Sequence, residues 1–205
     1  MKKLLFALSA VLMLSLTSQA QVKFGAKAGM NLSRFTENFE TMKPGFHAGI
    51  YAQVKLHPMF SIQPEVLYSM QGGMEKDVNE ILNQTISSKT TLTSHNVIVP
   101  IMLQFSPIKM ITIEAGPQFG FNLGMSSHNV VTTQGLVDSE TERDYTFESD
   151  DYNMFDFGLA AGLKLNVASN VNIYARYNFG LTNVFVYEDD ETMNQNLMLG
   201  VGFTF

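Results

Sequence analysis

Apolar and polar residues alternate along eight separate segments of the chain, and the alternation is sharpest in the last, 194–205. Leu197, Leu199, Val201, Phe203 and Phe205 hold one set of alternate positions there, with Gln195 the one polar member. Asn196, Met198, Gly200, Gly202 and Thr204 hold the other. Side chains alternate across a β-strand, so the segment has one apolar face and one lean, hydrated face. The same period recurs at 22–32, 45–56, 60–71, 94–105, 111–123, 152–166 and 171–182. In the second of these, Phe46, Ala48, Ile50, Ala52, Val54 and Leu56 oppose His47, Gly49, Tyr51, Gln53 and Lys55.

The connections alternate in length. Short turns fall at His57-Pro58, at 106–109 and at 168–170, while the others are long and polar: 33–44, 72–93, 125–151 and 183–193. An even strand number with long and short connections in phase predicts an all-β, antiparallel, up-and-down transmembrane β-barrel of eight strands. Pro64 interrupts the third strand, and because a closed barrel has no free edge for a missing N–H, a bulge is expected there.

A soluble eight-stranded barrel alternates too, with its apolar face lining a pocket. Here the apolar face is nearly free of charge in every segment, as contact with hydrocarbon requires. The other face is studded with Gly, Asn, Gln and Ser, the side chains a narrow interior holds. Aromatics such as Phe60, Tyr68, Phe105, Phe119, Phe155, Tyr177, Phe179 and Phe203 lie toward strand ends, as interfacial girdles do, although Trp is absent.

The N-terminus reads differently. Lys2 and Lys3 precede an apolar run from Leu4 to Leu16 and then Thr17-Ser18-Gln19-Ala20. This is the pattern of a signal peptide over 1–20, leaving a single barrel domain over 21–205. The whole chain carries 13 Lys+Arg against 19 Asp+Glu, a net charge of −6. Loss of Lys2 and Lys3 makes the exported domain −8. With no basic patch, nucleic acid is not an expected partner. Cysteine is absent, so no disulfide framework or thiolate metal site exists.

Candidate chemistry is sparse. The inward charges are Lys23, Lys27, Lys55, Glu65, Glu114, Asp156, Lys164 and Arg176. Lys27, Glu65, Glu114 and Arg176 lie at similar heights above the short-turn end, and with Asp156 they form the expected lumen charge cluster. It reads either as a filter for ions or as a salt-bridged plug. The acidic connections offer Asp138, Glu140, Asp189 and Asp190 as weak cation ligands, but without EF-hand spacing, so no metal is assigned. His47, His57, His95 and His128 suggest no enzyme: Ser94 and His95 point to opposite faces, and no nucleophile accompanies an Asp156–His47 pairing. No catalytic residue and no cofactor are expected.

Several stretches carry a family likeness: Gln63-Pro64-Glu65-Val66-Leu67-Tyr68-Ser69, Gly116-Pro117 with Phe119-Gly120, Arg176 to Leu181, and the closing Gly-Val-Gly-Phe-Thr-Phe. Together they resemble the small porin-like, PorT-type outer-membrane β-barrel family across essentially the whole exported chain. The resemblance implies residence in the outer membrane of a Gram-negative bacterium, as a monomer among outer-membrane lipid and lipopolysaccharide. Val201, Phe203 and Phe205 are similar to the C-terminal signal read by the barrel-assembly machinery. Three roles remain open: a closed barrel acting structurally or through its loops, a small-solute or ion pore, and a barrel enzyme acting on lipid or peptide.

Overall fold

The computed structural model describes residues 22–36, 41–81, 84–134, 139–148, 151–185 and 192–205. Nine antiparallel strands occur among them: β1 (Val22–Phe35), β2 (Thr41–His57), β3 (Phe60–Ile81), β4 (Gln84–Ile108), β5 (Ile111–Gln134), β6 (Ser139–Thr146), β7 (Phe155–Asn166), β8 (Val171–Asn183) and β9 (Met193–Thr204). Eight of these form the wall, in the cyclic order β1-β2-β3-β4-β5-β7-β8-β9, with β9 returning to β1. The ninth, β6, pairs only with the outer part of β5, from Ser126↔Thr146 to Thr133↔Ser139.

Closure leaves no edge. Every wall strand has a partner on both sides, which is what a spanning sheet needs where no water can satisfy backbone groups. The facing follows the sequence pattern. Leu199 and Ile113 are 45% and 47% exposed on the outer surface, while Gln63, Ser69, Asn96 and Asn178 are buried inside. Aromatics gather in two bands outside. Phe60 stacks near Phe105 with ring centroids 5.1 Å apart, and Phe203 lies 5.5 Å from Phe205, all toward the short-turn end. Toward the other end Phe46 lies 5.6 Å from Tyr68, and Phe119 5.4 Å from Phe157.

Several expectations change. The stretches 72–93 and 125–151 are not simple loops. β3 and β4 stay paired from Gly72↔Thr93 out to Ile81↔Gln84, and β4 and β5 out to Thr85↔Gln134. These residues are polar on both faces and so show no period of two, yet Thr, Val and Ile recur through them and favour strands. The hairpins thus continue beyond the membrane wall as a sheet of β3, β4, β5 and β6. Gly72 marks the departure point, with φ of 153° and its N–H donating to Ser33 Oγ at 2.8 Å. Nor does Pro64 cause a bulge. β2 and β3 pair at Tyr51↔Glu65 and again at Val54↔Ile62 in the same register, so rungs lapse without an extra residue. The sixth wall strand begins at Phe155, not at 152; Tyr152 makes only an isolated bridge to Phe185.

Residues 1–21, including the expected signal peptide, lie outside the described residues. Replacing Leu199 by Arg is expected to cost ~2–4 kcal/mol of folding stability, the range for a cation on the lipid face near mid-bilayer. Urea unfolding in lipid vesicles measures it.

Candidate functional site: the barrel bore

Four strands aim one charge each into the bore. Lys27 comes from β1, Glu65 from β3, Glu114 from β5 and Arg176 from β8, and none is more than 5% exposed. Arg176 grips both carboxylates. Its Nη1 and Nη2 donate to Glu65 Oε2 and Oε1, each at 2.8 Å, while Nε and Nη2 donate to Glu114 Oε1 at 2.9 and 2.6 Å. Lys27 Nζ donates to Glu65 Oε1 at 2.8 Å and sits 4.2 Å from the Tyr174 ring centroid. The two-pronged guanidinium suits this role, since its fork matches carboxylate geometry and holds two anions together. Gly162 faces Arg176 across the β7–β8 ladder, and a methyl there would crowd the Arg176 Cβ at 3.2 Å.

Neutral amides complete the layer. Gln63 Nε2 donates to Glu65 Oε1 at 2.6 Å, and Gln104 Nε2 reaches both Gln63 Oε1 and Glu114 Oε2 at 2.9 Å. Lys164 Nζ also donates to Gln63 Oε1 at 2.9 Å. Buried charge is tolerated when it is paired and its remaining hydrogen-bonding capacity is met. Here the amides meet it for Glu65 and Glu114. Alternation marked Lys164 as inward, but height along the strand did not reveal that Gln63 links it to the ion cluster.

A second network lies beside the first. His47 Nδ1 meets Asn31 Oδ1 at 2.7 Å and its Nε2 meets Tyr174 Oη at 2.5 Å, while Asn31 Nδ2 donates to Ser69 Oγ at 2.9 Å. Gly29 and Gly200 pair across β1 and β9 beneath these rings, and a methyl on Gly200 would lie 2.6 Å from Tyr174 Oη. Leu67, Ile98, Tyr174 and Met198 fill the middle of the bore as a buried apolar cluster. At the long-connection end Phe35, Leu92, Met125, Tyr152 and Val184 form another, with Phe147 and Phe185 packed against it. The bore is therefore capped by apolar side chains on one side and crossed by ions on the other.

Asp156 does not join the charge cluster. It accepts from Thr182 Oγ1 at 2.7 Å at the outer end of β7, where it pairs with Gly120, six residues along β5 from Glu114, so its height on the strand sets it apart from the four ions. His47 is likewise spent on Asn31 and Tyr174, and His95 meets Tyr68 Oη at 2.6 Å on the other side of the wall from the buried Ser94. Of the acidic candidates, Glu140 is exposed on β6, while Asp138, Asp189 and Asp190 lie outside the described residues. Among the described residues no group of three or more His, Asp and Glu side chains is placed to hold a metal ion. Val201, Phe203 and Phe205 project outward at the short-turn end, and the Phe205 N–H donates to Phe24 O at 2.8 Å.

Arg176→Met is expected to destabilise the barrel by ~3–5 kcal/mol, since two carboxylates would lose their buried partner. Adding Glu65→Gln and Glu114→Gln should recover much of that loss. Equilibrium unfolding of the single and triple variants in lipid vesicles checks both.

A family model agrees with this architecture. The model of the outer membrane protein beta-barrel domain matches residues 17–186. No curated protein matches the sequence. Among solved structures, Ail of Yersinia pestis, in complex with the heparin analogue sucrose octasulfate, is 16% identical, with 90% of this chain and 99% of that chain covered at a TM-score of 0.45. Neisserial surface protein A is 14% identical over 92% of this chain and 100% of that chain, at a TM-score of 0.45. CarO of Acinetobacter baumannii is 12% identical over 88% and 97%, at 0.42.

Proposed function

This chain belongs to the outer membrane protein beta-barrel domain family, and we propose that it is a closed barrel of the Gram-negative outer membrane that works through its external hairpins. The observation that carries the reading is the filled bore. An apolar cap, an apolar middle cluster and the Arg176 ion cluster succeed one another where a pore would need continuous water. What remains for contact with other molecules is the sheet of β3, β4, β5 and β6 that stands beyond the membrane, whose β6 strand is exposed at every position. Such a platform fits adhesion, envelope integrity or binding of an external partner.

Within the family, the motifs around Glu65, Pro117 and Arg176 favour the porin-like, PorT-type group. Residues 1–20 act as the export signal, and Val201, Phe203 and Phe205 present the assembly signal. The chain stands as a monomer among lipopolysaccharide and lipid, since the closed wall offers no unpaired strand in the membrane.

Planar-bilayer recording tests the closed bore. The purified, detergent-folded chain should give no single-channel steps. Steps that disappear in Arg176→Ala would overturn the reading in favour of a selective pore. Replacing residues 76–89 with a short turn should preserve heat-modifiable gel mobility while abolishing attachment of whole cells to their surface or partner. Unchanged attachment would remove the hairpin from the function.

A further inference from the structure

The short-turn end of the barrel contains a cavity of about 610 Å³. Lys23, Lys55, Lys109 and Lys164 line it together with His57, and neither Asp nor Glu does. This is the reverse of the chain as a whole, which carries 19 acidic residues against 13 basic ones. The segregation is complete along the sequence. Apart from Glu65 and Glu114, every acidic residue falls in the long connections, the outer hairpins or the strand ends beside them. Short turns lie on the periplasmic side in outer-membrane barrels, so this is the periplasmic mouth, and its lining is left with lysines.

The lysines are not used up by the fold. Among the described residues, the ion pairs that Lys makes link Lys27 to Glu65, and Lys23, Lys55 and Lys109 are exposed with no carboxylate in ion-pair range. Lys164 is the informative one. It is only 5% exposed, it lines the cavity, and its Nζ donates to one neutral oxygen, Gln63 Oε1, with no carboxylate within 4.0 Å. A buried ammonium held by a single amide has N–H donors to spare, and an anion in the cavity would satisfy them.

We infer that this vestibule is a binding site for a compact polyvalent oxyanion, a phosphate or pyrophosphate group, entering from the periplasm. The volume falls in the range of small-ligand sites. Lysine ammonium groups on flexible stems suit a phosphate as converging point charges. The site is blind. Inward from Lys164 the bore is filled by Gln63, Gln104 and the paired ions Lys27, Glu65, Glu114 and Arg176, so an anion drawn to the mouth goes no further. Retention, not passage, follows. The inference does not depend on what the external hairpins do.

The test is calorimetric titration of sodium pyrophosphate into the folded full-length exported chain, in uncharged detergent and near-physiological salt, with amide NMR shifts to locate binding. Saturable binding with shifts clustered around Lys23, Lys55, Lys109 and Lys164 is expected. Lys55→Gln with Lys109→Gln should weaken it by about tenfold or more, the loss of at least one charge-assisted hydrogen bond. Lys76→Gln with Lys89→Gln, which removes the same charge from the outer hairpin, should leave it unchanged. Absence of saturable binding, or equal weakening by the two double variants, would overturn the site. Nanodiscs of phosphatidylcholine with and without phosphatidylglycerol separate the sources. Weaker pyrophosphate affinity in the anionic bilayer assigns the site to a lipid phosphate, and equal affinity assigns it to a free one.

Discussion

A strand in hydrocarbon has no water to satisfy its N–H and C=O groups, so the sheet must close on itself. In this chain closure is made by β1 pairing with β9 from Gly25↔Thr204 to Phe35↔Asn194, and by β4 pairing with β5. Eight strands enclose a lumen only about as wide as the side chains that fill it. The composition of the inner face follows from that width. Gly25, Gly29, Gly162 and Gly200 line the wall opposite Tyr51, His47, Arg176 and Tyr174, each large side chain being given room by a neighbouring glycine.

The same narrowness explains how charges come to be buried in a membrane protein. An isolated ion there would be costly, but Arg176 shares its guanidinium between Glu65 and Glu114, and Lys27 adds a second contact to Glu65. The ions tie β1, β3, β5 and β8 together across the lumen, a crosslink that backbone pairing between adjacent strands does not make. Gln63 and Gln104 carry the network on to Lys164. The cluster thus fixes the barrel's cross-section and closes it at once, and it divides the molecule into an acidic long-connection end and a basic short-turn mouth.

The two ends differ in construction as well as in charge. Outward, the hairpins of β3, β4 and β5 run on past the wall and recruit β6, giving a polar sheet anchored to a rigid base. Inward, the turns are short and the mouth stays open as a cavity. Recognition by loops on a rigid scaffold is a common division of labour, since the scaffold supplies position and the loops supply variety.

The alternation of residues was enough, by itself, to settle the wall. Which side chains face lipid, the even strand number and the phase of the short turns are all local consequences of a two-residue repeat. Even the charged residues of the bore could be named as inward, because Lys27, Glu65, Glu114, Lys164 and Arg176 each occupy the lean face of their strand. What the repeat does not encode is height and register between strands distant in sequence. Only the closed barrel paired His47 with Tyr174 127 residues away and carried Lys164 to Gln63. The outer hairpins were equally hidden, since strands bathed in water on both faces need no apolar period and are held by their partners alone.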